Sequence, residues 1–430
     1  MTSPVVLLFT RDLRVHDHPG LVEAVGSGRA VVPLFVLDPH LITRSPNRSR
    51  FLMESLADLD RSLRARGARL VIREGDPGLE VARLAKEVGC NDVWVTRDVS
   101  SYAHRRAASL AEHGVESVEF PGHAIVEPGD VAPAGRDHYR VFTPYLRAWS
   151  GAARLSVAPA PGRVPFPGGI ELGPRPTAAR FTPDSPDLPP GGETEGRARL
   201  AAYATGAVAG YTDLRNMPAA DATSRLSPYL RFGCVSANET AQRLASGGDL
   251  VRQLAWRDFF LQLLAGDPRL AHQDLRPPVD GWRTDPDGLE VWIAGRTGLP
   301  LVDAGMRQLA REGWMHGRVR MAVGSLLTRR LEIDWREGKR HFDRLLIDGD
   351  VASESGNWQW VAGTGTDPRR GRVLNPVRQA RRFDPDGEYV RRYVAELADV
   401  PAPAIFAPWR DPSLLRRCGY PAPIVEVLDR

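Results

Sequence analysis

One stretch of the chain, DGDVASESGNWQWVAGTGTDPRR (348–370), concentrates carboxylates, small residues and tryptophans. Asp348 and Asp350 lie two residues apart, and carboxylates so close repel each other unless each has its own donor. The spacing does not match a calcium loop, and no histidine or cysteine accompanies it, so a metal site is not favoured. Acceptors, small residues and the indoles of Trp358 and Trp360 together predict a pocket for a large, polar, planar cofactor.

A second stretch, ATSRLSPYLRFG (222–233), carries three hydroxyls, on Thr223, Ser224 and Ser227. Ser227 followed by Pro228 is typical of a helix start, with serine as N-cap and proline in the first turn. Alternatively, hydroxyls and free N–H groups at a helix start bind a phosphate. The local pattern favours the cap, and both interpretations stay open.

Two further motifs combine arginine with aromatic residues. WMHGRVRM (314–321) places Arg318 and Arg320 at a helix start, where Arg320 could hold an anion or a carboxylate. A lone helical histidine such as His316 is more often packed than catalytic. In LAWRDFF (254–260), Trp256 is either buried beside a surface Arg257–Asp258 ion pair or an aromatic platform for a flat ring.

These motifs must be positioned by regular elements, and the first third of the chain alternates apolar strands with amphipathic helices. Leu52, Leu56, Leu59 and Leu63 have helical spacing, with Gly67 as a stop. The alternation predicts an α/β domain with a parallel, Rossmann-like sheet whose ligand lies at the carboxyl ends of the strands. No GxGxxG follows the first strand. The predicted strands are 5–9, 30–36, 69–73, 92–96 and 115–120.

The rest of the chain lacks this alternation of strands and helices. Residues 157–192 are rich in proline and glycine and predict a linker without regular structure. From about residue 193 the apolar spacing is helical, and Gly313 is expected to end one helix. We therefore predict an α/β domain over 1–130, a connector over 131–195 and an all-α domain over 196–430.

Composition sets broad limits on class. The 430 residues carry a formal net charge of +4, with three cysteines, Cys90, Cys234 and Cys418, far apart in the chain. Neither a disulfide framework nor a metal site is predicted. No apolar run suits a membrane span and no leader is evident, so a cytoplasmic protein is expected. The basic charge suggests a polyanionic partner, although an arginine-rich chain with two lysines also fits GC-rich coding DNA.

Taken together, these stretches resemble the DNA photolyase/cryptochrome family. The likeness begins at FTRDLRVHDHPGL (9–21) and resumes at ATSRLSPYLRFG, WRDFF, PLVDAGMRQL, GWMHGRVRMA, IDWREG and IDGDVASESGNWQWVAGTGTD, in order along the chain. It ends in RVLNPVRQARRFDPDGEYVRRYV. The resemblance implies an N-terminal α/β domain carrying an antenna and a helical domain that holds FAD.

The resemblance also implies residue roles. The FAD contacts would be Tyr211, Thr223, Ser224, Leu226, Ser227, Arg257, Arg320, Asp348, Asp350 and Glu354, with an arginine and an aspartate paired beneath the flavin. An electron relay would run through Trp282, Trp335 and Trp358. Contacts to a flipped-out pyrimidine dimer would come from Arg215, Gln253, Trp256, Gly317, Met321 and Trp360.

The activity implied is light-driven repair of UV-damaged DNA by a cyclobutane pyrimidine dimer photolyase, acting as a monomer. An extruded dimer would enter an aromatic pocket. Segment 369–392 has eight arginines against three acids and is the candidate for part of the DNA surface. DVSSYAHRR (98–106) resembles members with an 8-hydroxy-5-deazaflavin antenna, and methenyltetrahydrofolate is the alternative.

Three positions depart from the photolyase pattern. Gln253 stands where glutamate is usual, Gly317 where asparagine is usual, and Glu354 where asparagine is usual. They favour the alternative of a cryptochrome-like blue-light photoreceptor with weak or no repair. The retained Trp256 and Trp360 favour repair. A third class, an electron-transfer flavoprotein without DNA, would require the arginine surface to reflect codon usage alone.

Overall fold

The five predicted strands form one fully parallel sheet in the structure, a computed structural model that describes residues 3–206, 210–278, 281–367 and 372–427. The strand order is β3-β2-β1-β4-β5, so the chain winds outward from β1 in both directions. The two central strands β1 and β2 are apolar and buried along their whole length, as strands covered on both faces require. The strands are β1 (Val5–Leu8), β2 (Val31–Leu37), β3 (Val71–Glu74), β4 (Asp92–Thr96) and β5 (Glu116–Phe120).

The helices between the strands begin at clear sequence signals. Four of them have proline in the first turn, preceded by a side chain that accepts a backbone N–H: His18, Asp38, Ser45 and Asp76. The predicted leucine helix is confirmed within α3. The elements are α1 (Pro19–Gly26), α2 (Pro39–Ile42), α3 (Pro46–Arg64), α4 (Pro77–Val88), α5 (Ser101–Glu112) and α6 (Phe142–Gly151).

From Glu193 onward the regular elements of the described residues are helical, apart from single β-bridges, as the apolar spacing predicts. Gly313 ends α13 in the left-handed conformation, which confirms the predicted stop. The helices are α7 (Glu193–Thr205), α8 (Tyr211–Leu214), α9 (Ser227–Phe232), α10 (Ala237–Arg243), α11 (Gly248–Gly266), α12 (Pro286–Ile293), α13 (Pro300–Glu312), α14 (Gly317–Arg329), α15 (Trp335–Leu345), α16 (Val351–Ala362), α17 (Pro376–Phe383), α18 (Glu388–Tyr393) and α19 (Pro412–Cys418).

The proline-rich segment 157–192 has almost no regular structure, as predicted, but it is not a free linker. The amide of Val31 donates to Pro165 O at 2.7 Å, and the amide of Ile72 donates to Leu172 O at 2.8 Å. Val164 is fully buried. The segment therefore lies along the sheet and supplies acceptors to strand amides that would otherwise face water.

The loop after β1 joins the sheet to the helices. The Arg14 guanidinium is buried and donates to three carbonyl oxygens, those of Asp17, Gly122 and Gly233. Gly233 ends α9 with a φ of 66°, and a Cβ there would lie 1.9 Å from the Arg11 carbonyl oxygen. Only glycine fits this contact. The close approach of the RDLR loop to the end of α9 therefore requires the glycine of YLRFG.

An apolar cluster continues across this joint. Phe51 of α3 packs on Tyr229 and Phe232 of α9, with ring centroids 5.3 and 4.9 Å apart. The same buried cluster includes Leu7 of the sheet and Leu200 of α7. The carboxyl end of the sheet and the start of the helical region are therefore held together by shared core.

The helices that carry the tryptophans pack closely through glycines. A Cβ on Gly338 of α15 would lie 2.4 Å from Trp358 Cη2 and 2.5 Å from Leu327 Cδ2. A Cβ on Gly356 of α16 would lie 2.2 Å from the Phe260 ring. Large rings on one helix thus occupy the space that a small residue leaves on the next.

Gly338→Ala should lower the melting temperature even though alanine is the better helix former. Helix propensity would add about 1 kcal/mol of stability, but overpacking a rigid indole costs about 1–3 kcal/mol. Gly248→Ala, at the start of α11 with no atom within 4 Å of the new Cβ, is the matched control. Thermal unfolding checks both, and equal stabilisation of the two variants would contradict the packing argument.

Candidate functional site

Asp348 lies at the centre of one polar cluster. Its carboxylate accepts from both terminal nitrogens of Arg320, at 3.1 and 2.8 Å, and from the Ser227 hydroxyl at 2.7 Å. Arg320 Nε donates to Met315 O, which fixes the guanidinium plane. A bidentate, charge-assisted pair of this kind is both strong and directional.

The Ser227 hydroxyl does not cap α9, so the local N-cap prediction is wrong. Leu226 holds the N-cap position, and no side chain caps that helix. Trp314 Nε1 donates to Ser227 Oγ at 3.2 Å, a contact that the sequence did not reveal. The hydroxyl instead donates to Asp348, which lies within hydrogen-bond distance from another part of the chain.

Asp350 has separate partners, as repulsion between the two carboxylates requires. It caps α16 by accepting the amides of Ala352 and Ser353, and it pairs with Arg11 from the loop after β1. Burial would raise the pKa of Asp350, but Arg11, Arg257 and His123 together hold that pKa well below its ordinary value. Asp350 is therefore ionised at neutral pH.

More arginines than acids surround the Asp350 carboxylate. Arg231 Nε donates to Gly349 O at 2.7 Å. Burial, reinforced by the neighbouring cations Arg11 and Arg48, lowers the pKa of Arg231 to about 9. Arg11, Arg231 and Arg257 thus outnumber the neighbouring carboxylates of Asp98 and Asp350, so the cluster can accept an anion.

Asp258 is buried and Arg257 is only 14% exposed, so the alternative of a surface ion pair is wrong. Asp258 Oδ2 accepts the amides of Ile125 and Val126 and the Trp149 indole N–H. Arg257 donates to His123 O at 2.8 Å. Asp258 thus anchors the segment after β5 to α11, while Arg257 faces the cluster around Asp350.

The other residues assigned to the cofactor surround the start of α9. Tyr211 is buried at the start of α8, Ser224 Oγ accepts the Leu226 amide at 3.4 Å, and Leu226 is buried. The Thr223 hydroxyl is buried without a hydrogen-bond partner among the described residues. His316 is also buried and caps α14 through Nδ1, which agrees with the prediction of a packed histidine.

Glu354 is buried on α16 with neither carboxyl oxygen hydrogen-bonded among the described residues. A Cβ on Gly349 would lie 3.1 Å from its Oε2, so the carboxyl group faces the Asp348–Asp350 turn. Burial, then the charge of Asp343, raises the pKa of Glu354 well above the ordinary value, against Lys339 and Arg48. Glu354 therefore favours the protonated form more than an exposed glutamate does, and in that form it can donate one hydrogen bond.

These features suit a dinucleotide. Uncompensated guanidinium charge suits a pyrophosphate, the Thr223 hydroxyl lacks a partner, and a protonated Glu354 offers a donor to a ring heteroatom. A separate cavity of about 380 Å³ adjoins the site through Arg225, Pro228 and Trp314. None of the ten residues assigned to the flavin lines it, so we do not place the cofactor there.

The three tryptophans assigned to the relay lie on three different elements of the helical region. Trp358 on α16 and Trp335 at the start of α15 are buried, and Trp282 in the loop before α12 is half-buried. Gly338, which touches the Trp358 ring, is one helical turn from Trp335. Two of these indoles are buried and the third, Trp282, is partly exposed, so one end of the predicted relay can reach the surface.

The two indoles assigned to the substrate lie on different helices. Trp256 of α11 is half-buried and stacks on Phe142, with centroids 3.6 Å apart and planes at 8°. Trp360 of α16 is half-buried with the Arg372 guanidinium 5.8 Å from its ring centre. In the part of the chain that is described, the two rings do not contact each other. Phe142 was not found by sequence reasoning because it follows the irregular segment after β5.

The remaining substrate positions border the same region. Arg215 pairs with Asp249 at 3.3 Å, and Met321 Sδ accepts from Arg318 at 3.8 Å. Gln253 and Gly317 are exposed. A Cβ on Gly317 would meet nothing within 4 Å, so a side chain fits there without rearrangement.

Comparison with known proteins agrees with this geometry. The family model for the FAD binding domain of DNA photolyase matches residues 250–430, and that for DNA photolyase matches residues 5–165. A protein of Streptomyces griseus named deoxyribodipyrimidine photo-lyase is 47% identical over 99% of this chain and 97% of its own length. The chain belongs to the DNA photolyase/cryptochrome family, which confirms the resemblance and the fold class.

Solved structures of the family superpose closely. A Synechocystis cryptochrome has a TM-score of 0.92 at 30% identity, covering 99% of this chain and 97% of that one. An archaeal photolyase from Sulfolobus tokodaii, described with two FAD molecules and a novel light-harvesting cofactor, has a TM-score of 0.86 at 31% identity, covering 99% and 97%. The FAD-binding family model confirms FAD as the cofactor. Among the described residues, no helix is both long and apolar enough to cross a membrane.

Glu354→Gln should change how stability depends on pH. A carboxyl group whose folded pKa is raised stabilises the fold while protonated, and this contribution declines as pH rises above its unfolded pKa of 4.5. Each unit of elevation corresponds to about 1.4 kcal/mol. The apoprotein should therefore lose melting temperature between pH 5 and 8, and the isosteric glutamine variant should lose less. Parallel slopes for the two proteins would show that Glu354 is ionised in the fold.

Proposed function

We propose that this protein is a light-driven DNA repair enzyme that splits cyclobutane pyrimidine dimers. FAD, when bound in its reduced form and excited by blue light, supplies one electron, which later returns. The chain has to bind that cofactor, receive the extruded dimer beside it and exclude water. The Streptomyces relative carries the name of this activity.

The observation that carries the proposal is the position of Trp256. Its indole has one face backed by Phe142 and is half-exposed, so it can stack on a flat base. The next residue, Arg257, faces the buried cluster around Asp350. A platform for a base and a site for an anionic cofactor therefore adjoin on α11.

The polar residues would act by holding fixed charges. The Arg320–Asp348 pair would lie beneath the flavin, with Ser227 and Trp314 fixing the carboxylate. Arg231 and the Thr223 hydroxyl would bind the pyrophosphate and its sugar. Glu354, while protonated, would hold a proton at its carboxyl group without adding a like charge beside a reduced, anionic ring.

An exposed basic face on α17 supports DNA as the substrate. Arg378, Arg381 and Arg382 are exposed, and Asp384 is buried where it accepts the amides of Tyr389 and Val390. One of the segment's three acids is therefore removed from the surface, and positive charge remains to contact phosphates. Residues 369–371 of the predicted basic segment lie outside the described residues.

The antenna and the oligomeric state stay predictions. We propose that an antenna binds at the carboxyl edge of the sheet, where Asp98 lies 3.7 Å from Arg11 and Tyr102 donates to Asp38 at 2.7 Å. The 8-hydroxy-5-deazaflavin assignment, with methenyltetrahydrofolate as alternative, rests on the DVSSYAHRR resemblance. A monomer is likewise proposed.

Blue-light treatment of a thymine-dimer oligonucleotide with the pre-reduced protein should restore intact thymines, and a dark sample should not. Trp256→Ala should lower repair at least about fivefold, since base stacking on an aromatic contributes about 1–3 kcal/mol. Its FAD content should be unchanged. Product analysis by chromatography checks the result. A wild-type protein that binds reduced FAD and DNA but repairs nothing would refute the proposal.

The second candidate, a cryptochrome-like photoreceptor, rests on Gln253, Gly317 and Glu354. Gln253→Glu with Gly317→Asn restores the photolyase residues at exposed positions that accept them without strain. If the wild type repairs as expected, the double variant should change repair less than threefold, about 0.7 kcal/mol. Repair that appears only in the double variant would support the photoreceptor.

Trp358→Phe should abolish photoreduction of the oxidised flavin by an external thiol while FAD stays bound. Phenylalanine keeps an apolar ring but is far harder to oxidise than an indole. Trp292→Phe is the control, because Trp292 is equally buried, lies 6.4 Å from Trp358 and stands outside the predicted relay. Bleaching of the flavin absorption measures both, and equal rates in the two variants would refute the relay.

A further inference from the structure

A single carboxylate joins two of the relay tryptophans. Trp335 Nε1 donates to Asp274 Oδ1 at 2.7 Å, and Trp282 Nε1 points at Asp274 Oδ2 at 3.3 Å. Both indole N–H groups thus donate to the same carboxylate, whose side chain is about one-fifth exposed. Neither the family likeness nor the sequence motifs drew attention to this residue.

The loop that carries Asp274 is held rigidly against the relay helices. The Gln359 side chain, next to Trp358 on α16, donates to Gln273 O at 2.8 Å and accepts the Leu275 amide at 3.0 Å. These contacts clamp the residues on either side of Asp274. The carboxylate is therefore fixed in place by the helix that carries the innermost tryptophan.

The charges around Asp274 are arranged asymmetrically. The Arg336 guanidinium lies 4.8 Å from the centre of the Trp335 ring and 3.3 Å from Asp274 Oδ1. Its other nitrogens contact Asp334 and the His272 carbonyl. A cation over Trp335 disfavours removal of an electron from that ring, whereas Trp282 has the carboxylate without an overlying guanidinium among these contacts.

We propose that Asp274 is a positioning and proton-accepting residue of the tryptophan relay. Its carboxylate stabilises the oxidised indole at Trp282, the outer end of the predicted relay. The inference rests on the proposed function of Trp282, Trp335 and Trp358 as that relay. Among the described residues, Asp274 accepts from the Trp282 and Trp335 indoles and pairs with Arg336 of α15.

The proposed step transfers one electron and one proton. The oxidant is the photoexcited oxidised flavin, which takes one electron from the inner end of the relay. Trp282 gives one electron to oxidised Trp335. The Nε1–H bond of Trp282 then breaks, its electron pair stays on nitrogen, and the proton moves to Asp274 Oδ2. Trp282 ends as a neutral radical and Asp274 as a carboxylic acid, so no net charge remains to favour return of the electron.

Asp274→Asn tests the proposal by flash photolysis of the oxidised holoprotein. The wild type should show a neutral indolyl radical and long-lived charge separation. The asparagine variant should show the protonated radical and a lifetime at least about fivefold shorter, because the acceptor charge is gone. Asp274→Glu should restore part of the lifetime. Asp334→Asn, which removes a charge beside Arg336 but keeps a helix cap, should behave as the wild type.

Nitrogen-labelled indoles supply a readout that needs no light. In the holoprotein, two tryptophan Nε1–H resonances should move in Asp274→Asn, and one of these should vanish in Trp282→Phe. An unchanged radical spectrum and lifetime in Asp274→Asn, with photoreduction still lost in Trp358→Phe, would overturn the role of Asp274 and leave the relay intact. Normal photoreduction in Trp358→Phe would instead overturn the relay itself.

Discussion

Repulsion between Asp348 and Asp350 is the constraint around which this structure is organised. Two carboxylates on one turn are stable only if cations and donors reach each of them, and those partners come from distant parts of the chain. Arg320 comes from α14, Ser227 from the start of α9 and Arg11 from the loop after β1. Because both carboxylates must be paired, the loop after β1 and the starts of α9, α14 and α16 meet at this turn.

The same turn sets the electrostatics of the site. Arginines around Asp350 exceed the acids that could neutralise them, and burial magnifies the imbalance, as the lowered pKa of Arg231 shows. A few residues away, burial and the charge of Asp343 raise the pKa of Glu354 well above its ordinary value. An anion and a polar ring can therefore be bound side by side, each by groups whose charge the fold has already set.

Aromatic packing determines how that site is connected to the rest of the molecule. Gly356 admits the Phe260 ring and Gly338 admits the Trp358 ring, so α11, α15 and α16 approach closely. The indole N–H groups of Trp335 and Trp282 both donate to Asp274. Another indole, Trp256, faces solvent with Phe142 behind it. The same close packing thus links the cofactor region to the surface in two directions.

The sequence by itself determined the elements and the residue types. Strand runs such as VVLLF, the leucine spacing of α3 and the glycine stops depend on local periodicity, and the motif series identified the family. It could not predict that Ser227 bonds Asp348 instead of capping α9, that Asp258 is buried, or that Arg11, Phe142 and Asp274 join the site. Those facts depend on contacts between residues more than a hundred positions apart, or on loops without periodicity. Only the tertiary structure decided them, because burial and charge pairing are set by which segments meet.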